Sequence, residues 1–310
     1  SGDHLKTIEE RDYTTRESRD LEGIVRHFLD EVDAPAIISA CFGIAGPVRE
    51  GVVRTTNLPW IIDAAKMSRD LSIRSVLLIN DLEATAFGIE ELAEGDLAML
   101  APGDPAASGN AAVIAAGTGL GEAGIYWDGN QRRPFGTEGG HSSFAPSGEM
   151  EIDLLRHLTE QFGHVSWERV LSGPGLHNIY MFLRDTGRGE ESEWLAAEMR
   201  DGDPAATISR AALEGRSSLC TLALDLFVSL YGSEAGNVAL KTMATGGLYV
   251  GGGIAPKIID KLKGPAFMKA FVGKGRFQAF LEAIPVRVIL NDRTALLGAA
   301  RRAAGAKARG

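Results

Sequence analysis

The sequence predicts an α/β protein, and three observations lead there. Short apolar runs alternate with segments of helical spacing along most of the chain. One of these runs, Val76-Leu-Leu-Ile-Asn80, passes at once through Asp81 into a helical pattern, as a buried strand feeding a helix would. Glycines, 38 in 310 residues, gather in short turns at the ends of the apolar runs, where a bare backbone can approach a ligand.

The elements follow in order. Residues 1–16 are polar, with Tyr13-Thr-Thr15 as a strand candidate. Leu21, Ile24, Val25, Phe28, Leu29 and Val32 space an amphipathic helix that Ser18 would cap. Ala36–Phe42 reads as a buried strand, Gly51–Thr56 as a short strand running to Asn57, and Ile61–Leu71 as a helix. After Val76–Asp81 a helix runs to about Ala93. Glu94–Asn110, with Pro102, Gly103, Asp104, Pro105, Ser108 and Gly109, reads as a loop and a domain boundary. Ala111–Trp127 is strand, glycine turn, strand. Glu151–Phe162 is helical, Ser166 caps a turn holding Glu168, and a Gly-Pro break leads into another helix. Pro204–Met243 is almost all helix, interrupted near Gly232. Leu248–Gly253 is a strand ending in three glycines, Pro285–Leu290 is the last strand, and Asn291-Asp292 opens a helix from Thr294 to about Ala304.

Composition narrows the function. A net charge of −9 argues against a general nucleic-acid or anionic-membrane binder. It leaves room for a phosphate ligand, which backbone N–H groups can hold without side-chain charge. Two cysteines, Cys41 and Cys220, give neither a disulfide framework nor a Cys-rich zinc site, which fits a reducing, cytoplasmic setting. No apolar run approaches the ~18 residues of a membrane span.

Several stretches carry chemistry. Asp81 stands at the carboxyl end of a strand and the start of a helix, so it is either a helix cap or a base in a ligand cleft. Gly117-Thr118-Gly119-Leu-Gly121 is either an ordinary hairpin or a turn whose N–H groups and hydroxyl grip a phosphate. Glu138-Gly-Gly-His141 offers an acceptor and a donor–acceptor pair suited to sugar hydroxyls, and as two ligands makes a weak metal site. Gly251-Gly252-Gly253 is either a tight turn or a surface for a flat ring.

Taken together and in this order, these motifs resemble the bacterial glucokinase family of the hexokinase–actin ATPase superfamily. The most specific pair is Glu138-Gly-Gly-His141 with Glu168-Arg-Val-Leu-Ser-Gly-Pro-Gly175. The related ROK sugar kinases carry a Cys-rich zinc motif after their Glu-x-Gly-His, and this chain has no cysteine there. The resemblance implies a two-lobed actin-like ATPase (ribonuclease H-like) fold with a cleft between the lobes. The small lobe would be 1–91 plus 292–310 and the larger 92–291. It implies ATP with Mg²⁺, glucose as acceptor, and Asp81 as the base that takes the proton of the 6-hydroxyl. Asn80, Glu138, His141 and Glu168 would bond the sugar hydroxyls, with Asn57 in the segment that enters the sugar site. Gly117, Thr118, Gly119 and Gly121 would form the second phosphate loop, and Gly251, Gly252 and Gly253 the adenosine motif. No protein metal ligand is implied, and relatives often dimerise through the larger lobe.

One departure stands out. The family opens with a strand carrying Asp-x-Gly-Gly-Thr, the first phosphate loop, and these 310 residues contain no such motif. The expectation is that the sequence in hand omits it. Were the loss real, a non-catalytic sugar-binding regulator would be the alternative. A kinase of the same fold for another hexose is the third reading.

Overall fold

The computed structural model describes residues 5–15, 18–32, 36–55 and 58–306. The chain divides into two compact units, residues 1–94 with 293–310 and residues 95–292.

The first unit runs α1 (Leu21–Glu31), β1 (Ser39–Ile44), β2 (Val52–Arg54), β3 (Ile61–Asp63), α2 (Ala64–Asp70), β4 (Ser75–Asn80) and α3 (Asp81–Gly88), and a closing helix, Thr294–Ala306, completes it. β1 and β4 pair in parallel, from Ser39 opposite Ser75 to Ile44 opposite Asn80. Val76, Leu78 and Ile79 of β4 are buried, as expected of a parallel strand covered on both faces. β1 is half-buried and begins later than the expected Ala36. The expected helix from Ile61 starts instead as a strand, because Ile61 and Ile62 pair with Arg54 and Val53. Asp63 then caps α2, its carboxylate accepting from Lys66 N at 2.9 Å. Asp20, not Ser18, caps α1 through Gly23 N. Tyr13 lies in no strand and packs its ring on His27 and Phe28 of α1.

Val53, Trp60, Ile62, Met67, Ile73, Val76 and Leu78 form the core of this unit. α3 is held separately, by a seam of small residues against the closing helix. A Cβ added at Gly88 would lie 1.9 Å from Thr294 O, and one at Gly298 would lie 1.8 Å from Ala84 O. Only glycine admits so close an approach.

The second unit is built on β5 (Leu97–Ala101), β6 (Ala111–Ala116), β7 (Leu120–Trp127), β8 (Arg132–Thr137), β9 (Gly247–Gly251) and β10 (Val286–Ile289), in the sheet order β5-β10-β9-β6-β7-β8. β9 lies parallel to β6 and to β10, and β6, β7 and β8 run antiparallel. β5 falls inside the stretch expected as loop. Its apolar Leu97–Ala101 run was masked by the turn residues around it, and it pairs with β10 at the sheet edge. β8 forms the opposite edge, where Pro134 is tolerated.

Helices α4 (Glu149–Phe162), α5 (Gly173–Asp185), α6 (Glu193–Asp201), α7 (Pro204–Leu213), α8 (Ser218–Thr242), α9 (Ile259–Leu262), α10 (Pro265–Val272) and α11 (Gln278–Glu282) belong to the same unit. α8 runs without the interruption expected near Gly232. That glycine serves packing, since a Cβ there would lie 2.1 Å from Phe267 O of α10. Every residue of β6 is buried, and so are Leu224, Phe227, Val228 and Tyr231 of α8. No helix among the described residues is long and apolar enough to cross a membrane.

Candidate active site

In the first unit the residues expected to form the site, Asn80 and Asp81, stand where β4 gives way to α3. Asn80 is the N-cap, its Oδ1 accepting from Leu82 N at 2.9 Å and Glu83 N at 3.3 Å. Its Nδ2 donates to Gly46 O at 3.4 Å, which ties the cap to the turn after β1. Asp81 is therefore not the cap but the first helical residue. Its Oδ1 accepts from Leu82 N at 2.9 Å, and among the described residues no cation pairs with it. Burial raises its carboxyl above the usual range, opposed by the backbone N–H groups and by Asn80. A half-buried carboxylate with a raised proton affinity is a better base than an exposed one. Asn57 lies outside the described residues.

In the second unit two loops are stitched side by side. Trp167 N donates to Ser142 O at 3.0 Å and Phe144 N to Val165 O at 2.9 Å. The Phe144 and Trp167 rings meet edge to face at 4.9 Å, both buried. This short ladder presents Glu138, His141 and Glu168 from one framework. Glu138 and His141 are exposed, and His141 Nδ1 lies 4.0 Å from Glu168 Oε1. The expected cap at Ser166 makes no side-chain bond. Ser172 instead caps α5 through Gly175 N, at 3.0 Å.

Glu168 also reaches the glycine turn. Its Oε2 accepts from Leu120 N at 3.0 Å, and a Cβ on Gly119 would lie 2.5 Å from the same oxygen. A side chain at Gly119 would displace this carboxylate. Gly117 N bonds Gly119 O within the turn, and Gly173 N donates to Gly117 O, both at 2.8 Å. Gly121 already belongs to β7, opposite Ala115. In the second glycine turn Gly251 ends β9, and Gly252 has φ +82° with its α-carbon pressed against β6. A Cβ there would lie 2.3 Å from Ala116 O.

The two turns open onto one cavity of about 1040 Å³ within this unit, to which Gly117, Thr118 and Gly253 contribute. A Cβ at Gly117 or Gly253 would meet nothing within 4 Å, so packing of the chain alone does not demand glycine there. Open backbone at two glycine turns fits a flat or phosphorylated ligand resting on the main chain. Asp203, Arg210 and Lys257 stand on the cavity walls. None of the three lies in a motif, and none is among the residues expected from the sequence.

Tyr231, equally unmarked in the sequence, is fully buried on α8. Its hydroxyl accepts from Ala116 N at 3.0 Å and donates to Gly251 O at 3.1 Å. One side chain so fixes the ends of β6 and β9, from which both glycine turns spring.

Comparison with known proteins decides the family. A family model described as Glucokinase matches residues 1–306. The chain belongs to the glucokinase family. The glucokinase of Nostoc punctiforme is 41% identical over 96% of this chain and 91% of its own length. That of Synechocystis sp. is 42% identical over 95% and 88%. Among solved structures, a glucokinase from an Antarctic psychrotroph superposes with a TM-score of 0.82 at 30% identity, covering 94% of this chain and 88% of that one. The α/β architecture is the family's sugar-kinase fold, and the chain is a sugar kinase of the hexokinase type by membership.

Proposed function

We propose that this chain transfers the γ-phosphoryl group of ATP to the 6-hydroxyl of glucose, giving glucose 6-phosphate and ADP. The observation that carries the reading is Glu168. Its one carboxylate faces His141, in the hydroxyl-matching loop, and holds Leu120 N, in the glycine turn at the mouth of the cavity. A residue so placed answers to both a polyhydroxyl ligand and a phosphate-bearing one.

Asn80, Glu138, His141 and Glu168 hydrogen-bond the sugar, the carboxylates accepting from its hydroxyls. Asp81 orients the 6-hydroxyl and takes its proton as the oxygen bonds to phosphorus. Its raised proton affinity suits that role. The turns at Gly117–Gly121 and Gly251–Gly253 carry the nucleotide, with Gly117, Thr118 and Gly253 against it and Gly119, Gly251 and Gly252 shaping the backbone beneath. Arg210, ion-paired with Glu198, and Lys257 place cationic groups on a cavity wall that also carries Asp203 and Glu214. When bound, Mg²⁺ neutralises charge on the ATP phosphates, which in such sites supply many of its ligands themselves. Cytoplasmic action and a homodimer through the larger unit complete the reading.

The test is ADP release from Mg-ATP with and without glucose, with the sugar product identified by its phosphorus resonance. Glucose-dependent release yielding the 6-phosphate is expected. ADP release indifferent to glucose would refute the assignment.

A further inference from the structure

Beneath the Glu138–His141 turn lies a buried acid that the reaction does not use. Glu122 on β7 is 5% exposed, and Glu234 on α8 is 0% exposed. Glu122 Oε2 packs directly on Gly139, where an added Cβ would lie 1.9 Å away. Thr137 joins the same two residues, donating its hydroxyl to Glu122 O at 3.0 Å and accepting from Gly139 N at 3.2 Å. Gly140 is fixed in turn, since a Cβ there would lie 2.1 Å from Leu120 O. The turn that presents Glu138 and His141 therefore rests on the Glu122 side chain.

The carboxyl chemistry of this support is specific. Glu234 is satisfied by Asn237 Nδ2 at 2.7 Å and Lys241 Nζ at 3.2 Å. Glu122 Oε1 is buried with no hydrogen-bond partner. An ionised carboxylate only accepts, so an orphaned buried oxygen is costly, whereas a protonated one can donate to Glu234, whose carboxyl is within hydrogen-bonding reach. Two adjacent buried carboxyls also disfavour double ionisation.

The charged groups facing the pair are Lys241 on α8 and Lys274 just beyond α10. Lys274 donates to Ser233 at 3.1 Å and its charge acts on Glu234. The β-sheet partners of Glu122, Ile114 on β6 and Thr137 on β8, carry no charge.

We propose that Glu122 is a positioning residue of the sugar site: the Glu122–Glu234 carboxyl pair, sharing one proton, sets where the Gly139–His141 turn lies and so where Glu138 and His141 meet the sugar. The inference rests on the assignment of Glu138 and His141 to glucose. Burial first, and the Glu234 charge second, push the Glu122 carboxyl up to about 8. The proton is accordingly lost in mildly alkaline solution. The two carboxylates then repel, and the displaced oxygen presses on Gly139.

The experiment is glucose binding by calorimetry from about pH 7 to about pH 9.5, for the wild-type chain and for Glu122→Gln, a neutral side chain of the same shape. The wild-type Kd should rise about threefold to tenfold across the range, the cost of weakening one ordinary hydrogen bond. The E122Q profile should be flat. Superimposable profiles would overturn the proposal. A wild-type Kd constant across the range would also overturn it, whether or not E122Q folds. Absence of any glucose binding by the wild-type chain near pH 7 would instead defeat the sugar-site assignment, and this inference with it.

Discussion

Glu168 shows how much one carboxylate can organise. Its Oε2 is committed to Leu120 N, and its Oε1 faces His141, so only part of the group is left for a sugar hydroxyl. Glu168→Gln keeps an oxygen for the backbone bond and removes the charge. Glucose affinity should fall about tenfold or more, as for loss of a charge-assisted hydrogen bond, with little change in thermal stability. Titration calorimetry checks this, and an unchanged Kd would count against a sugar contact. At this scale the sequence was readable where chemistry is local. Asp81 follows a strand directly, and the glycines sit inside their turns. Tyr231 and Arg210 are far in sequence from the glycine turns they touch or face, and Lys257, though four residues from Gly253, opens an ordinary helical pattern, so nothing marked them. Glu122 did leave a signal, an acid within an otherwise apolar strand, which the glycine turn beside it overshadowed.

Among the elements, α3 bears most directly on the proposed reaction because it begins with Asp81. It is pinned by the closing helix through Gly88 and Gly298 rather than by large side chains. Gly298→Val would drive its side chain into Ala84 O and force the helices apart. A loss of about 1–3 kcal/mol or more is expected, the usual scale of overpacking, read by urea denaturation, together with reduced turnover as Asp81 shifts. A variant as stable as the wild type would refute the tight seam. Interior elements such as β4, β6 and β9 were plain in the sequence because buried strands have continuous apolar runs. β8 was not, since an edge strand tolerates proline and polar residues and so resembles a loop, and the short apolar run of β5 was hidden by the turn residues around it. The strand start at Ile61 was hidden for another reason: it depends on pairing with Val53 and Arg54, which no helical spacing can reveal.

For the molecule as a whole, stability should depend on pH in a direction set by its buried acids. Glu122 keeps its proton in the folded state up to about 8, whereas the unfolded chain releases it near the ordinary value of 4.5. The folded state thus binds more protons between those limits, and stability falls as pH rises through that window, then levels off. Glu234 shifts the same way, chiefly by burial. Thermal midpoints measured from about pH 6 to about pH 9 should decline for the wild type and decline less for Glu122→Gln. Equal slopes would contradict the burial of an acid in its neutral form. The fold class was legible from alternating apolar runs, and the family from motifs in a fixed order. The cavity walls and the buried acid pair emerge only when distant segments come together.

The decisive measurement is the rate of glucose 6-phosphate formation from Mg-ATP by the wild-type chain and by Asp81→Asn, with glucose binding to each followed in parallel. Loss of the base should lower turnover by about 10²-fold or more while glucose still binds. Near-normal turnover in the Asp81→Asn chain would contradict Asp81 as the proton acceptor and the phosphoryl-transfer mechanism built on it.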